Sequence, residues 1–108
     1  MIAWLLTVGE PMPGDGGLGR AWRTGMLAEQ LAARGHQVVW WSSAFDHFSR
    51  RLRSPVDTRV ALGPDLAAYY LNGIAYRRNV SLARLRNHRQ VARAFARLAL
   101  AEPPPDVI

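Results

Sequence analysis

Residues 2–43 decide the fold of this chain. They contain the apolar run IAWLLTV (2–8), the glycine-rich stretch GDGGLGR (14–20), the segment AWRTGMLAEQLAAR (21–34) and a second apolar run, QVVWWSS (37–43). The two apolar runs have strand length and almost no polar face, which is typical of parallel strands covered by helices on both sides. The segment between them has apolar residues at helical spacing and stops at Gly35, a common residue after a helix. This order of strand, glycine loop, helix and strand predicts an α/β fold of the nucleotide-binding type.

The second half of the chain predicts a hairpin and a long helix. Residues 58–62 and 66–71 flank Gly63-Pro64-Asp65, a sequence suited to a tight turn. Ser81 is a good N-cap for a helix from Leu82 to about Ala101. Together with the first half, these elements predict a Rossmann-like, doubly wound parallel sheet, of which only about the first half is present.

Two segments carry weaker signals. Residues 44–55 are polar and basic, and we interpret them as a loop or a short helical turn. Residues 102–108 (EPPPDVI) read as a helix exit, a rigid turn and the first residues of a strand. Because the backbone of a strand needs partners along its length, we expect residues 1–108 to be part of one domain of a longer protein.

Composition restricts the class of protein. A chain of 108 residues holds at most one small domain, and the 49% hydrophobic content is enough for a packed core. The sequence contains no cysteine and no apolar run of membrane-spanning length, so a cytoplasmic protein is expected. The net charge is +6, and all 14 basic residues are arginine, which favours contacts with phosphate or carboxylate groups.

The glycine stretch allows several interpretations. Gly14, Gly16 and Gly19 formally match the dinucleotide-binding pattern G-x-G-x-x-G. They follow the first strand too late, however, and the second strand ends in Ser42-Ser43 rather than in an acidic residue that could hold a ribose. This disfavours an oxidoreductase that uses NAD(P) or FAD. Two interpretations of the stretch remain: a glycine loop that binds the phosphate of a different ligand, and a surface loop that binds no ligand.

Three blocks of the sequence resemble family 4 glycosyltransferases of the GT-B fold, in a bacterial subgroup assigned to surface-polysaccharide synthesis. The blocks are Gly16-Gly17 with Arg20 and LAEQLAARGHQV (27–38), then WWSSAFDHF (40–48), then YRRNVSLARL (76–85). In addition, PDVI (105–108) sits where such proteins begin their next strand. The resemblance covers essentially the whole chain.

The resemblance implies a two-domain enzyme with a cleft between two Rossmann-like domains. The N-terminal domain binds the acceptor, and the C-terminal domain, absent from this chain, binds a nucleotide diphosphate-sugar. Residues 1–108 would then be the acceptor-side portion of a retaining glycosyltransferase that needs no metal or other cofactor. The acceptor would be a saccharide or a lipid-linked saccharide. We expect this piece alone to be inactive.

The resemblance also implies site residues. Gly16 and Gly17 would contact the donor diphosphate through backbone N–H groups, and Arg20 would contact the same phosphates. Asp15 beside them would repel a diphosphate unless its carboxylate points elsewhere. The acceptor side would comprise a catalytic or orienting His47, with further acceptor contacts from Asp46, Tyr76, Arg77, Arg78 and Asn79.

The charge of the second helix suggests other partners. Its arginines at positions 86, 89, 93 and 97 are either a solvated face or a contact with an anionic membrane surface, which would place the enzyme at the inner face of the membrane. A stand-alone module that binds anions or nucleic acid is an alternative. Nucleic acid is not expected, because the sequence lacks the exposed aromatic pattern of single-strand binders.

Overall fold

The computed structural model describes residues 1–13, 15, 22–76 and 81–108 of the chain. These residues form a small α/β domain. In chain order its elements are β1 (Ile2–Leu6), α1 (Arg23–Ala33), β2 (Gln37–Ser43), β3 (Phe45–Asp46), β4 (Arg51–Leu52), β5 (Thr58–Gly63), β6 (Leu66–Leu71) and α2 (Leu82–Ala99).

The main sheet has four strands in the order β1-β2-β6-β5. β1, β2 and β6 run parallel, and β5 pairs antiparallel with β6, which confirms the predicted hairpin around Gly63-Pro64-Asp65. On the other edge of β1, Ala3 forms a parallel bridge with Val107, and the Trp4 N–H donates to the Val107 carbonyl at 3.0 Å. The sheet is therefore mixed, with its parallel part at β1, β2 and β6.

Helices cover both faces of this sheet. Alternate residues of the strands pack in two clusters, as expected when neighbouring side chains of a strand point to opposite faces. One cluster contains Val38, Trp40 and Ala68 with Ala28 of α1. The other contains Trp41 and aromatic or apolar partners from the strands and α2: Trp4, Val39, Tyr69, Leu71, Val91, Ala94 and Phe95. Trp41 is its centre, stacked on Tyr69 at 4.2 Å.

The predicted start of the second helix is confirmed. Ser81 has extended backbone angles, and its side-chain oxygen accepts a hydrogen bond from the Arg84 N–H at 3.1 Å, as an N-cap does. Although α2 has 18 residues, no helix in the described part of the chain is long and apolar enough to cross a membrane.

The buried faces of the two helices include small and polar residues. In α1 the bulky Met26 and Leu27 are exposed, and the small Gly25 and Ala28 are buried. Small residues let the α1 backbone approach the sheet closely, which leaves the larger neighbours outside. In α2 Leu85 is exposed, and the polar Asn87 is buried together with Val91 and Ala94.

Residues 44–55 do not form the predicted loop or short helical turn. β3 and β4 pair antiparallel as a small hairpin, with Phe45 opposite Leu52. The Asp46 carboxylate accepts hydrogen bonds from the Phe48 N–H at 3.0 Å and the Ser49 hydroxyl at 2.9 Å, which fixes the turn. Arg50 closes it with a φ of 59°, a left-handed conformation that few non-glycine residues adopt.

Candidate functional site

The described site residues lie at one edge of the sheet. Asp46 and His47 follow the carboxyl end of β2, and Tyr76 follows the carboxyl end of β6. Parallel strands bring their carboxyl ends to the same edge, where α/β sheets bind ligands. The other predicted site residues, Gly16, Gly17, Arg20, Arg77, Arg78 and Asn79, lie outside the described residues.

His47 and Tyr76 form the centre of this edge. A hydrogen bond joins His47 Nδ1 and the Tyr76 hydroxyl at 3.0 Å. Tyr76 is 6% exposed and packs on Phe45, with ring centroids 4.4 Å apart. His47 is half-buried, so one side of its ring is fixed by Tyr76 while part of it faces solvent. A histidine held in this way can orient a hydroxyl group or take its proton.

Positive charge surrounds the pair. The guanidinium carbons of Arg50 and Arg84 lie 5.5 and 5.9 Å from the centre of the Tyr76 ring, within the range of cation–π contacts. His88 of α2 contacts the same ring at 6.5 Å. Burial lowers the pKa of His88, and the charges of Arg84 and His47 lower it further. The imidazole of His88 is therefore predominantly neutral at neutral pH.

Two amides of α2 hold the segment that carries Tyr76. The Asn87 side chain donates to the Ile74 carbonyl at 2.6 Å, and the Ile74 N–H donates to the Gln90 side chain at 2.7 Å. Because both backbone groups of one residue are bonded to the same helix, the position of Tyr76 depends on α2. The sequence analysis missed Asn87 and Gln90, since an amide on a helix carries no signal of its partner.

Asp46 and His47 do not act as a pair. The Asp46 carboxylate is buried, and it is engaged by Phe48, by Ser49 and, at 3.7 Å, by Arg53. His47 turns to Tyr76 instead. Asp46 therefore supports the turn that presents His47.

Arg53 is the most connected polar side chain that the sequence analysis missed. It is 8% exposed, and its guanidinium donates two hydrogen bonds of 2.7 Å to the Asp15 carboxylate. The same group donates to the backbone carbonyls of Ser43, Phe45 and Glu10. Arg53 thus fastens the segment after β1 to the end of β2 and to the β3–β4 hairpin.

The contact with Arg53 determines the charge state of Asp15. Burial by itself raises the pKa of this carboxyl, but the hydrogen bonds from Arg53 and from the Met12 N–H, with the Arg53 charge, lower it overall. Asp15 is therefore ionised and neutralised by its partner. The Asp15 carboxylate points to Arg53, which is one way in which a carboxylate can lie near a diphosphate without repelling it.

A second carboxylate occupies the beginning of α1. Glu10 accepts hydrogen bonds from the Thr24 N–H at 3.1 Å and the Thr24 hydroxyl at 2.7 Å. An acidic group at this position is stabilised by the helix dipole. The start of α1 is therefore not an open anion site, and a phosphate near the glycine stretch would depend on loop N–H groups and arginines.

An open cleft of about 260 Å³ adjoins Arg53. It is lined by polar and apolar groups of Pro13, Asp15, Asp46, Ser49, Arg51, Leu52, Arg53 and Tyr70. Hydroxyl, carboxylate and guanidinium groups of this kind suit a ligand rich in hydroxyl groups. Within the described parts of the chain, no group of three or more acidic or histidine side chains could hold a metal ion.

The fold and the edge define a small α/β domain whose carboxyl edge is polar and contains a histidine. In comparisons with known proteins, no family model, no curated protein and no solved structure matched the chain.

Proposed function

We propose that this chain is the N-terminal, acceptor-side portion of a GT-B glycosyltransferase of family 4. The observation that carries the proposal is the hydrogen-bonded His47–Tyr76 pair at the carboxyl edge of the parallel strands. The pair joins two of the resembling blocks, residues 40–48 and 76–85, which lie far apart in the sequence. A shared site is a physical reason for both blocks to occur in one chain.

The strand arrangement supports a doubly wound, Rossmann-like domain. β1 has β2 on one side and Val107 on the other, so the chain changes direction across the sheet at β1. α1 and α2 pack on opposite faces. A ligand crevice in such sheets lies at the carboxyl ends of the strands where the order reverses, and β1 leads into the glycine-rich stretch there.

In the proposed reaction, an acceptor hydroxyl attacks the anomeric carbon of the donor sugar, and the nucleoside diphosphate leaves. Gly16, Gly17 and Arg20 would contact the leaving diphosphate, with Asp15 already neutralised by Arg53. His47 would orient the acceptor hydroxyl or take its proton. Basic groups and loop N–H groups can stabilise the leaving charge without a metal. Tyr76, Arg77, Arg78 and Asn79 would contact the acceptor.

The donor-binding residues belong to the proposed second domain, so residues 1–108 alone should not transfer sugar. The proposed setting is the cytoplasm, with peripheral contact to an anionic inner membrane surface through α2. Arg86, Arg89 and Arg93 of this helix are exposed, and the helix contains no acidic residue. Such a face is suited to anionic lipid headgroups.

The test is an activity assay on the protein expressed from the gene that contains residues 1–108. It is incubated with nucleotide diphosphate-sugars and with saccharide or lipid-extract acceptors, and release of nucleoside diphosphate and labelled product is measured. We expect transfer by that protein and none by residues 1–108. Salt-dependent binding to arbitrary nucleic acid without transfer would favour an anion-binding module, and binding of NAD(P) or FAD would favour an oxidoreductase.

A further inference from the structure

A row of aromatic rings crosses the carboxyl edge of the sheet. It runs through Trp22, Phe48, His47, Tyr76 and His88, with successive ring centroids 5.3, 5.4, 6.1 and 6.5 Å apart. We call these five residues the ring row. It begins at the start of α1, passes through the β3–β4 turn and ends on α2.

The Trp22–Phe48 end of the ring row is not part of the hydrophobic core. Trp22 is 48% exposed and Phe48 is 55% exposed, whereas the other three tryptophans, at positions 4, 40 and 41, are buried. Trp22 belongs to neither of the two core clusters, so it contributes little to the packing of the core. The planes of the Trp22 and Phe48 rings lie at 70° to each other, so the two rings form a corner that is open to solvent. Exposed aromatic groups held in this way are typical of binding surfaces.

The composition of the ring row indicates the ligand. The faces of Trp22 and Phe48 carry negative charge density, which attracts the slightly positive C–H groups of a sugar ring. The adjoining His47, with the Ser49 and Arg51 side chains of the neighbouring cleft, can bond to hydroxyl groups. A saccharide presents both kinds of surface at once.

Two other ligands fit less well. Single-stranded nucleic acid stacks on a series of aromatic faces, whereas consecutive rings here cross at 70°, 82° and 49°. An acyl chain needs a continuous apolar surface, but the row passes directly to the hydrogen-bonded His47–Tyr76 pair.

We infer that the Trp22–Phe48 corner binds one sugar unit of a saccharide acceptor whose reacting hydroxyl lies at His47. Because Trp22 lies two rings away from His47, the unit bound at the corner is not the unit that reacts, and the acceptor has at least two sugar units. This inference rests on the proposed function. It adds to that function a second position for a sugar unit of the acceptor, on the Trp22 side of His47.

The test uses the single exposed tryptophan as a reporter. The indole N–H signals of the 108-residue chain are followed by NMR, with Trp22 assigned from W22F, during titration with trisaccharides of glucose, galactose, mannose or N-acetylglucosamine. At least one trisaccharide should shift the Trp22 signal, while the three buried indoles stay unchanged and report an intact fold. Phe48→Ala should weaken binding about tenfold.

Leu100→Ala is the matched control, because Leu100 is 88% exposed but lies at the far end of α2. Its binding should equal that of the unmodified chain. The inference is overturned if no trisaccharide shifts the Trp22 signal, or if only poly(dT) or phosphatidylglycerol vesicles do. Saccharide binding without any sugar transfer by the whole protein would contradict the proposed function alone. Transfer with the same acceptor KM in F48A would contradict the inference alone.

Discussion

The buried Arg53 guanidinium joins parts of the chain that are far apart in sequence. Its partners come from the segment after β1, the end of β2 and β3, and Asp15 holds it in a two-pronged contact. Lysine cannot reproduce this planar fork. Through Arg53, Asp15 and Glu10 are positioned relative to the hairpin that carries His47.

Removing this guanidinium should destabilise the domain. Arg53→Met leaves the Asp15 carboxylate half-buried without its cation, and we expect the free energy of unfolding to fall by about 3 kcal/mol. Arg59→Met is the control, since Arg59 pairs with Glu102 but its side chain is 49% exposed. That pair should contribute no more than about 1 kcal/mol. Equal losses in urea unfolding of the two variants would contradict the role given to Arg53.

Asp15 should make stability depend on pH. Its pKa is lowered in the folded state, so the unfolded chain takes up a proton first as the pH falls. The stabilisation from ionised Asp15 is complete above the ordinary pKa of an aspartate and is lost as the pH falls through the lowered value. The melting temperature of the unmodified chain relative to Asp15→Asn should therefore decrease between pH 6 and pH 3. A constant difference over that range would show that Asp15 does not titrate against Arg53.

At the residue scale, the sequence could predict some of the residues at the site but only part of their contacts. His47 and Tyr76 were both assigned to the acceptor side, and they do lie in contact. Arg53 could not be found, because nothing in the polar, basic stretch 44–55 distinguishes it from neighbouring arginines. Its importance comes from carbonyl groups that only the folded chain brings together.

At the scale of elements, features set by neighbouring residues were predicted best. The β5–β6 hairpin and the Ser81 N-cap both depend on local chemistry, and both are present. The β3–β4 hairpin was missed because strands of two residues have no detectable alternation. The exposure of Met26 and Leu27 in α1 could not be predicted from spacing, because close approach to the sheet selects Gly25 and Ala28 over larger apolar residues.

The packing of the Tyr76 segment on α2 gives a further prediction at this scale. A methyl group on Gly73 would lie 2.8 Å from the Asn87 side-chain nitrogen and 3.0 Å from the Asn87 backbone oxygen. Asn87 is 2% exposed and bonded to Ile74, so it cannot move freely. Gly73→Ala should therefore lower the free energy of unfolding by about 2 kcal/mol.

Gly9→Ala provides the comparison for that variant, because an added methyl group at Gly9 meets no atom of the described residues within 4 Å. Its stability should remain within about 0.5 kcal/mol of the unmodified chain. Thermal or urea unfolding measures both variants. If Gly73→Ala were as stable as Gly9→Ala, the segment before Tyr76 would not be held against α2 as described.

At the scale of the whole molecule, the sequence was sufficient to predict an α/β fold with helices on both faces of the sheet. It was not sufficient for the order of the strands, because strand pairing depends on distant contacts rather than on local patterns. The order β1-β2-β6-β5, with Val107 on the free edge of β1, is a property of the assembled sheet. This arrangement places the segment after β1, His47 and Tyr76 along one edge.

The central claim is that this edge binds and orients the acceptor of a sugar transfer. The most direct measurement is the transfer rate of the protein expressed from the whole gene, compared between His47→Ala and His36→Ala. His36 is a half-buried histidine bonded to the Met1 amino group at the opposite edge of the sheet. We predict a decrease of about 100-fold for His47→Ala and no change for His36→Ala. Equal rates in the two variants, or no transfer from any nucleotide diphosphate-sugar by the unmodified protein, would contradict the claim.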